Sequence, residues 1–152
     1  MAEFIRLHKN SIKSIEISVV DGPRSNHPNP RILKPLIEAI EETKDLRALV
    51  LNLNTSNFNF NHTDGFDALK SLGHALRCLP KLECLAVGVE SNSFSRKSFD
   101  NLSYTPKLKS VVFDFRGHWG IGSDDLSKNM RDLQKLRRLE ELTLYLGDNL
   151  KC

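Results

Sequence analysis

One eight-residue spacing recurs along the chain and limits its folds more than any other feature. It reads apolar-x-x-apolar-x-apolar-x-apolar, and five segments satisfy it. They are Ile12, Ile15, Ile17 and Val19; Leu46, Leu49, Leu51 and Leu53; Leu82, Leu85, Val87 and Val89; Leu108, Val111, Phe113 and Phe115; and Leu139, Leu142, Leu144 and Leu146. Each copy closes on strict alternation, which sets those side chains on one face of a β-strand. Successive copies begin 26 to 36 residues apart, too far for hairpins and long enough for a strand, a helix and a return.

The intervals carry apolar residues at helical spacing. Residues 31–44 place Leu33, Leu36, Ile37 and Ile40 on one face, with Pro35 in the first turn, where its missing N–H is harmless. Residues 64–79 do the same with Phe66, Leu69, Leu72, Leu76 and Leu79, and residues 95–103 predict a shorter helix with Phe99 and Leu102. Residues 124–138 open after Ser123, a good N-cap, with Asp124 and Asp125 in the first turn and Leu126, Met130, Leu133 and Leu136 facing inward. Strand alternating with helix predicts parallel strands side by side, with helices covering one face. No unit buries its apolar face alone, so neighbours must stack. A single domain over residues 1–152 is expected, with repeat strands near 12–20, 46–54, 82–90, 108–116 and 139–147.

The segments entering the strands also recur: Lys44-Asp45-Leu46, Pro80-Lys81-Leu82, Pro106-Lys107-Leu108 and Arg137-Arg138-Leu139. With these motifs the chain resembles the leucine-rich-repeat family over roughly residues 10–149, and its long variable periods resemble the ribonuclease-inhibitor-like branch. The resemblance implies an α/β leucine-rich-repeat solenoid, a horseshoe fragment of about five strand–helix units with a parallel sheet on the concave side. The family hosts receptors, inhibitors, ubiquitin-ligase adaptors and scaffolds, so fold alone does not assign function. The asparagine usual eight residues after the first Leu is present as Asn54, but Val20, Glu90, Arg116 and Gly147 replace it elsewhere. Irregular loops are expected there.

Carried onto this architecture, the residues between the buried strand positions form three rows on the concave face. One row is Glu16, Val50, Ala86, Val112 and Thr143; the next is Ser18, Asn52, Gly88, Asp114 and Tyr145; the third is Ser14, Ala48, Cys84, Ser110 and Glu141. Small, weakly apolar residues at the centre with polar or aromatic ones toward the ends fit a contact surface. The other reading is that small residues merely permit the sheet to curve, or that another part of the same protein covers them.

Long loops, Asp21-Gly22-Pro23 to Pro30, residues 54–63 with Phe58 and Phe60, and Arg116 to Gly120, fall on one rim. Trp119 there is either an interface anchor or a lid on the following helix. Lys128, Arg131, Lys135 and Arg138 are expected on one side of the last helix, a basic patch for an acidic partner or an ordinary solvated face. No aromatic residues are interleaved for base stacking.

Catalytic and metal motifs are missing from the sequence. His8, His27, His62, His74 and His118 are dispersed, and Cys78, Cys84 and Cys152 form no paired-ligand spacing. His62 with Asp64, or Asp114 with His118, is far more often a surface contact than a catalytic dyad. No P-loop or nucleophile elbow occurs, and Gly117, Gly120 and Gly122 read as turn glycines. No catalytic residue, cofactor or metal is therefore expected.

With 39% hydrophobic and 27% charged residues the chain has a globular composition, and a net charge of +3 neither demands nor excludes an acidic partner. No apolar run reaches the length of a membrane span, and Met1 to Arg6 carries no signal-peptide core. Unpaired cysteines point to an intracellular setting, cytoplasmic or nuclear, and not to secretion. The expected function is a non-catalytic protein–protein interaction module, an adaptor or structural subunit of a larger assembly. The alternatives are substrate recognition for a ubiquitin ligase, for which residues 1–11 are too short to supply an adaptor-binding module, and a nucleic-acid-associated subunit using the basic helix face. The fifth strand lies within six residues of Cys152, so its edge is expected to meet either a neighbouring subunit or further repeats of a longer chain.

Overall fold

The computed structural model describes residues 1–18, 33–53, 71–89, 102–114, 127, 131 and 133–145. Five strands, β1 (Ser14–Ser18), β2 (Ala48–Leu53), β3 (Cys84–Val89), β4 (Ser110–Asp114) and β5 (Glu141–Tyr145), form one parallel sheet in chain order. Parallel neighbours require a crossover between them, which helix α2 (Leu33–Glu41) and the helical residues 71–77 supply in the described chain. This is an α/β architecture consistent with a leucine-rich-repeat fold.

Strand register carries the hydrophobic spacing directly into the core. Ile15, Leu49, Leu85, Val111 and Leu142 align across the sheet, as do Ile17, Leu51, Val87, Phe113 and Leu144. In β1 to β4 every one of these side chains is buried, against Leu36, Ile37, Ile40, Leu72 and Leu76 from the helical layer. At about 25 cal/mol per Å² of apolar surface removed from water, these two rows and their helical cover are the main source of stability.

The turn before each strand is a second repeating device. Ile40, Thr43 and Leu46 are fully buried, and so are Leu76, Leu79 and Leu82, and Leu102, Thr105 and Leu108. Each triplet is closed by backbone bonds three residues apart: Thr43 N–H to the Ile40 carbonyl at 2.9 Å and Leu46 N–H to the Thr43 carbonyl at 3.0 Å, repeated at the other two. Thr43 and Thr105 add hydroxyl bonds of 2.6 Å to the carbonyls of Ile40 and Leu102, which satisfies both buried hydroxyls. The units are then stitched together. The carbonyl of Lys13 accepts from the N–H groups of Arg47 and Ala48, that of Arg47 from Glu83 and Cys84, that of Glu83 from Lys109 and Ser110, and that of Lys109 from Glu140 and Glu141, all at 2.8–3.1 Å. Each carbonyl uses both lone pairs on the next unit.

One helix is added that the spacing does not announce, one expected helix lies mostly outside the described residues, and one ends early. Residues 2–7 form a helix, α1 (Ala2–Leu7), whose Ile5 is buried and which packs against α2; six residues are too few for a periodicity to stand out. Residues 95–101 of the helix expected over 95–103 lie outside the described residues, and Leu102–Tyr104 form a 3₁₀ turn. Helical geometry in the last interval ends at Leu133, with turns at 134–135 and 137–138. Leu136 and Leu139 close the same three-residue turn there, N–H to carbonyl at 3.0 and 3.2 Å, so the repeated turn displaces the final helical residues.

Candidate functional site: the outward face of the sheet

Because side chains alternate along a strand, burying one set of positions exposes the other. The register aligns Glu16, Val50, Ala86, Val112 and Thr143 in one row. Glu16 is exposed and the remaining four are half-buried. Ser18, Asn52, Gly88, Asp114 and Tyr145 form the next row and Ser14, Ala48, Cys84, Ser110 and Glu141 the third. The middle of the face is therefore a shallow strip of small side chains flanked by polar ones. Asn52, Asp114 and Tyr145 are each engaged by interactions of their own. Among the described residues no helix or strand packs on this face.

The turn rim beside the face is laced with charge. Asp45 takes Lys13 at 3.0 Å and also Lys81, and these two ammonium groups hold its carboxyl down from the usual 3.8 to about 2, the Lys81 hydrogen bond contributing most. Just after α2, Glu42 takes Lys9 at 2.9 Å and, from α1, Arg6 at 3.1 Å, and its carboxyl is lowered, first by the Lys9 bond. All these groups are solvent-exposed, so they contribute register and little stability. Toward the other end of the sheet Lys107, Arg137 and Arg138 are exposed, and Arg77 stacks on the Tyr104 ring at 4.4 Å.

The anticipated basic patch is not a helix stripe. Arg131 is helical and exposed, whereas Lys135 and Arg138 lie in the turns leading to β5. Lys128 falls outside the described residues, as do Trp119, Phe58, Phe60, His62 and the three long loops. The eight-residue template starts at the last member of each triplet, so it does not register the rim turns. Reading three and six residues further back, to Thr43 and Ile40 or Leu79 and Leu76, reveals them. Among the described residues no group of three or more His, Cys, Asp or Glu is placed to hold a metal ion, and no helix is long and apolar enough to cross a membrane.

Comparison with solved structures identifies the fold. The structure titled Leiomodin-1 Actin-Binding Site 2 superimposes with a TM-score of 0.68 at 14% identity, covering 95% of this chain and 76% of that one. The tropomodulin C-terminal domain of Caenorhabditis elegans superimposes with a TM-score of 0.61 at 16% identity, covering 94% and 79%. No family model and no curated protein matches the sequence. These findings overturn the ribonuclease-inhibitor-like family resemblance. The spacing behind it reports what any stack of parallel strands under a helical layer must bury, and it does not carry lineage.

Proposed function

We propose that this chain is a non-catalytic protein-interaction module that seats a protein partner on the outward face of its parallel sheet, serving as an adaptor or structural subunit of a larger intracellular assembly. The observation that carries this reading is the aligned strip of Val50, Ala86, Val112 and Thr143, half-buried and uncovered among the described residues. Four strands hold it rigid, so little order is lost on binding. Glu16 and Ser18 at one side and Asp114 and Tyr145 at the other supply the polar rim a protein interface needs. Cys78 and Cys84 are free thiols, which suits a reducing compartment.

Actin is the partner to test first, because one structure sharing this fold is titled an actin-binding site. Purified monomeric and filamentous actin would be titrated with the wild type and with the Val50→Arg, Ala86→Arg double variant, both checked by circular dichroism. Binding by the wild type and its loss in the folded variant supports both the partner and the face. Binding retained by the variant removes the sheet face from the proposal. Failure of both actin forms to bind rejects actin.

A further inference from the structure

The turns that lead into the strands divide the rim charge of the molecule in two. Before β2, residues 41–45 hold three acids, Glu41, Glu42 and Asp45. Each is taken up inside the chain: Glu41 by His74 at 3.2 Å, Glu42 by Lys9 and Arg6, and Asp45 by Lys13 and Lys81. The matching residues before β3, β4 and β5 are 77–81, 103–107 and 134–138, and they contain six cations and no acid. Strand register and the repeated three-residue turn set Lys81, Lys107 and Arg138 in one row and Pro80, Pro106 and Arg137 in the next. Neighbouring strands in such a sheet lie about 4.8 Å apart. Lys81 is committed to Asp45, Arg77 to the Tyr104 ring, and Lys135 has an interaction of its own. Lys107, Arg137 and Arg138 are exposed, and among the described residues no carboxylate pairs with any of them.

We infer that this turn surface is a docking site separate from the sheet face, and that it seats an acidic segment of a protein partner on Lys107, Arg137 and Arg138. Backbone bonds close both turns, Leu108 N–H to the Thr105 carbonyl at 3.1 Å and Leu139 N–H to the Leu136 carbonyl at 3.2 Å. The three cations therefore stand side by side on fixed backbone, and their mutual repulsion falls when an anion spans the two units. Carboxylates suit the group, because each guanidinium offers a two-pronged fork and the ammonium of Lys107 a further point of charge. Two features favour an acidic polypeptide over a nucleic acid. On the sheet side of the row Glu140 is exposed and Glu83 half-buried, which confines the positive strip to the turns and leaves little of it for a run of phosphates. The aromatic ring in the group, Tyr104, is already stacked by Arg77 at 4.4 Å, so it is not an open platform for a base, whereas exposed Pro106 beside it offers the apolar contact a polypeptide uses. The site takes no residue from the outward sheet face, so it stands or falls independently of the reading given to that face.

Fluorescence anisotropy with the full chain tests it, using labelled octa-glutamate as the probe and octa-glutamine and octa-thymidylate as comparators. Octa-glutamate is expected to bind, several-fold more weakly at about 200 mM than at about 50 mM salt, and octa-glutamine is not. The triple variant Lys107→Gln, Arg137→Gln, Arg138→Gln is expected to bind octa-glutamate at least about tenfold more weakly. A control triple, Lys34→Gln, Lys44→Gln, Arg47→Gln, removes the same charge from exposed positions elsewhere and should stay within about threefold of the wild type. Circular dichroism checks that both triples are folded. A wild type that leaves octa-glutamate unbound overturns the proposal. Equal losses in the two triples overturn it as well, because net charge and not the turn surface would then be responsible. Octa-thymidylate binding more tightly than octa-glutamate overturns the acidic polypeptide as occupant.

Discussion

Among the described residues, the apolar row positions are buried at the β1 side of the sheet and partly exposed at the β5 side. Around β1, α1 places Ile5 into the core beside α2, and Arg6 and Lys9 carry their charges to Glu38 and Glu42. Around β5, Leu139 and Leu144 are half-buried, Leu142 is exposed, and the neighbouring turn presents Arg137 and Arg138 to solvent. One hydrophobic template thus yields two different surfaces. A row position is buried where neighbouring units pack on it, so among the described residues Leu49 is core in β2 while Leu142, in the same row, is exposed in β5.

Alanine substitutions along one row probe this difference most strongly. Leu49→Ala, fully buried in β2, is expected to destabilise by about 2–5 kcal/mol, whereas Leu142→Ala in the isolated chain costs less than about 1 kcal/mol. Urea midpoints measure both, and equal losses would erase the distinction between the two ends. Ile5→Ala comes next, at about 2 kcal/mol, because it empties the contact that ties α1 to the core. If amide exchange showed α1 equally protected in that variant, α1 would be held by its ion pairs instead.

Smaller effects sharpen the account of the turns. Thr43→Val keeps the shape and removes the hydroxyl bond to the Ile40 carbonyl, for an expected loss of about 1 kcal/mol. The equivalent position in the next unit is Leu79, which needs no hydroxyl, so the turn itself should survive. The smallest effect is electrostatic. Asp45 and Glu42 are more acidic in the folded chain than in the unfolded one, so at low pH the unfolded chain binds more protons. Their contribution is complete above the ordinary carboxylate range and is lost as pH falls through the folded values, between about 4 and about 2 for Asp45. Asp45→Asn should flatten stability against pH in that window, and salt should weaken the wild-type slope. An unchanged slope in the variant would place the acid sensitivity elsewhere.

Much of this architecture is legible in the chain alone. The positions of the five strands, their shared inward rows and the outward alignment of Glu16, Val50, Ala86 and Val112 all follow from period-2 alternation repeated at a helix-length interval, since stacking in register is the way those apolar rows meet. The α2 face follows from the spacing of Leu33, Leu36, Ile37 and Ile40. Helix α1 was hidden, because one buried Ile5 in six residues carries no periodicity. The basic cluster departs from its helical spacing. Lys135 and Arg138 extend a helical spacing on paper, but the repeated turn ends the helix at Leu133.

What the sequence by itself determined is which side chains must leave water, because transfer of apolar groups depends on residue type and on the short-range period that faces them. What only the tertiary structure decided is where burial stops. The exposure of Leu142, the pairing of Asp45 between Lys13 and Lys81, and the cover that α1 places on α2 all depend on groups brought together from distant parts of the chain. Contacts of that range leave no local pattern, so they become visible only when the units are stacked.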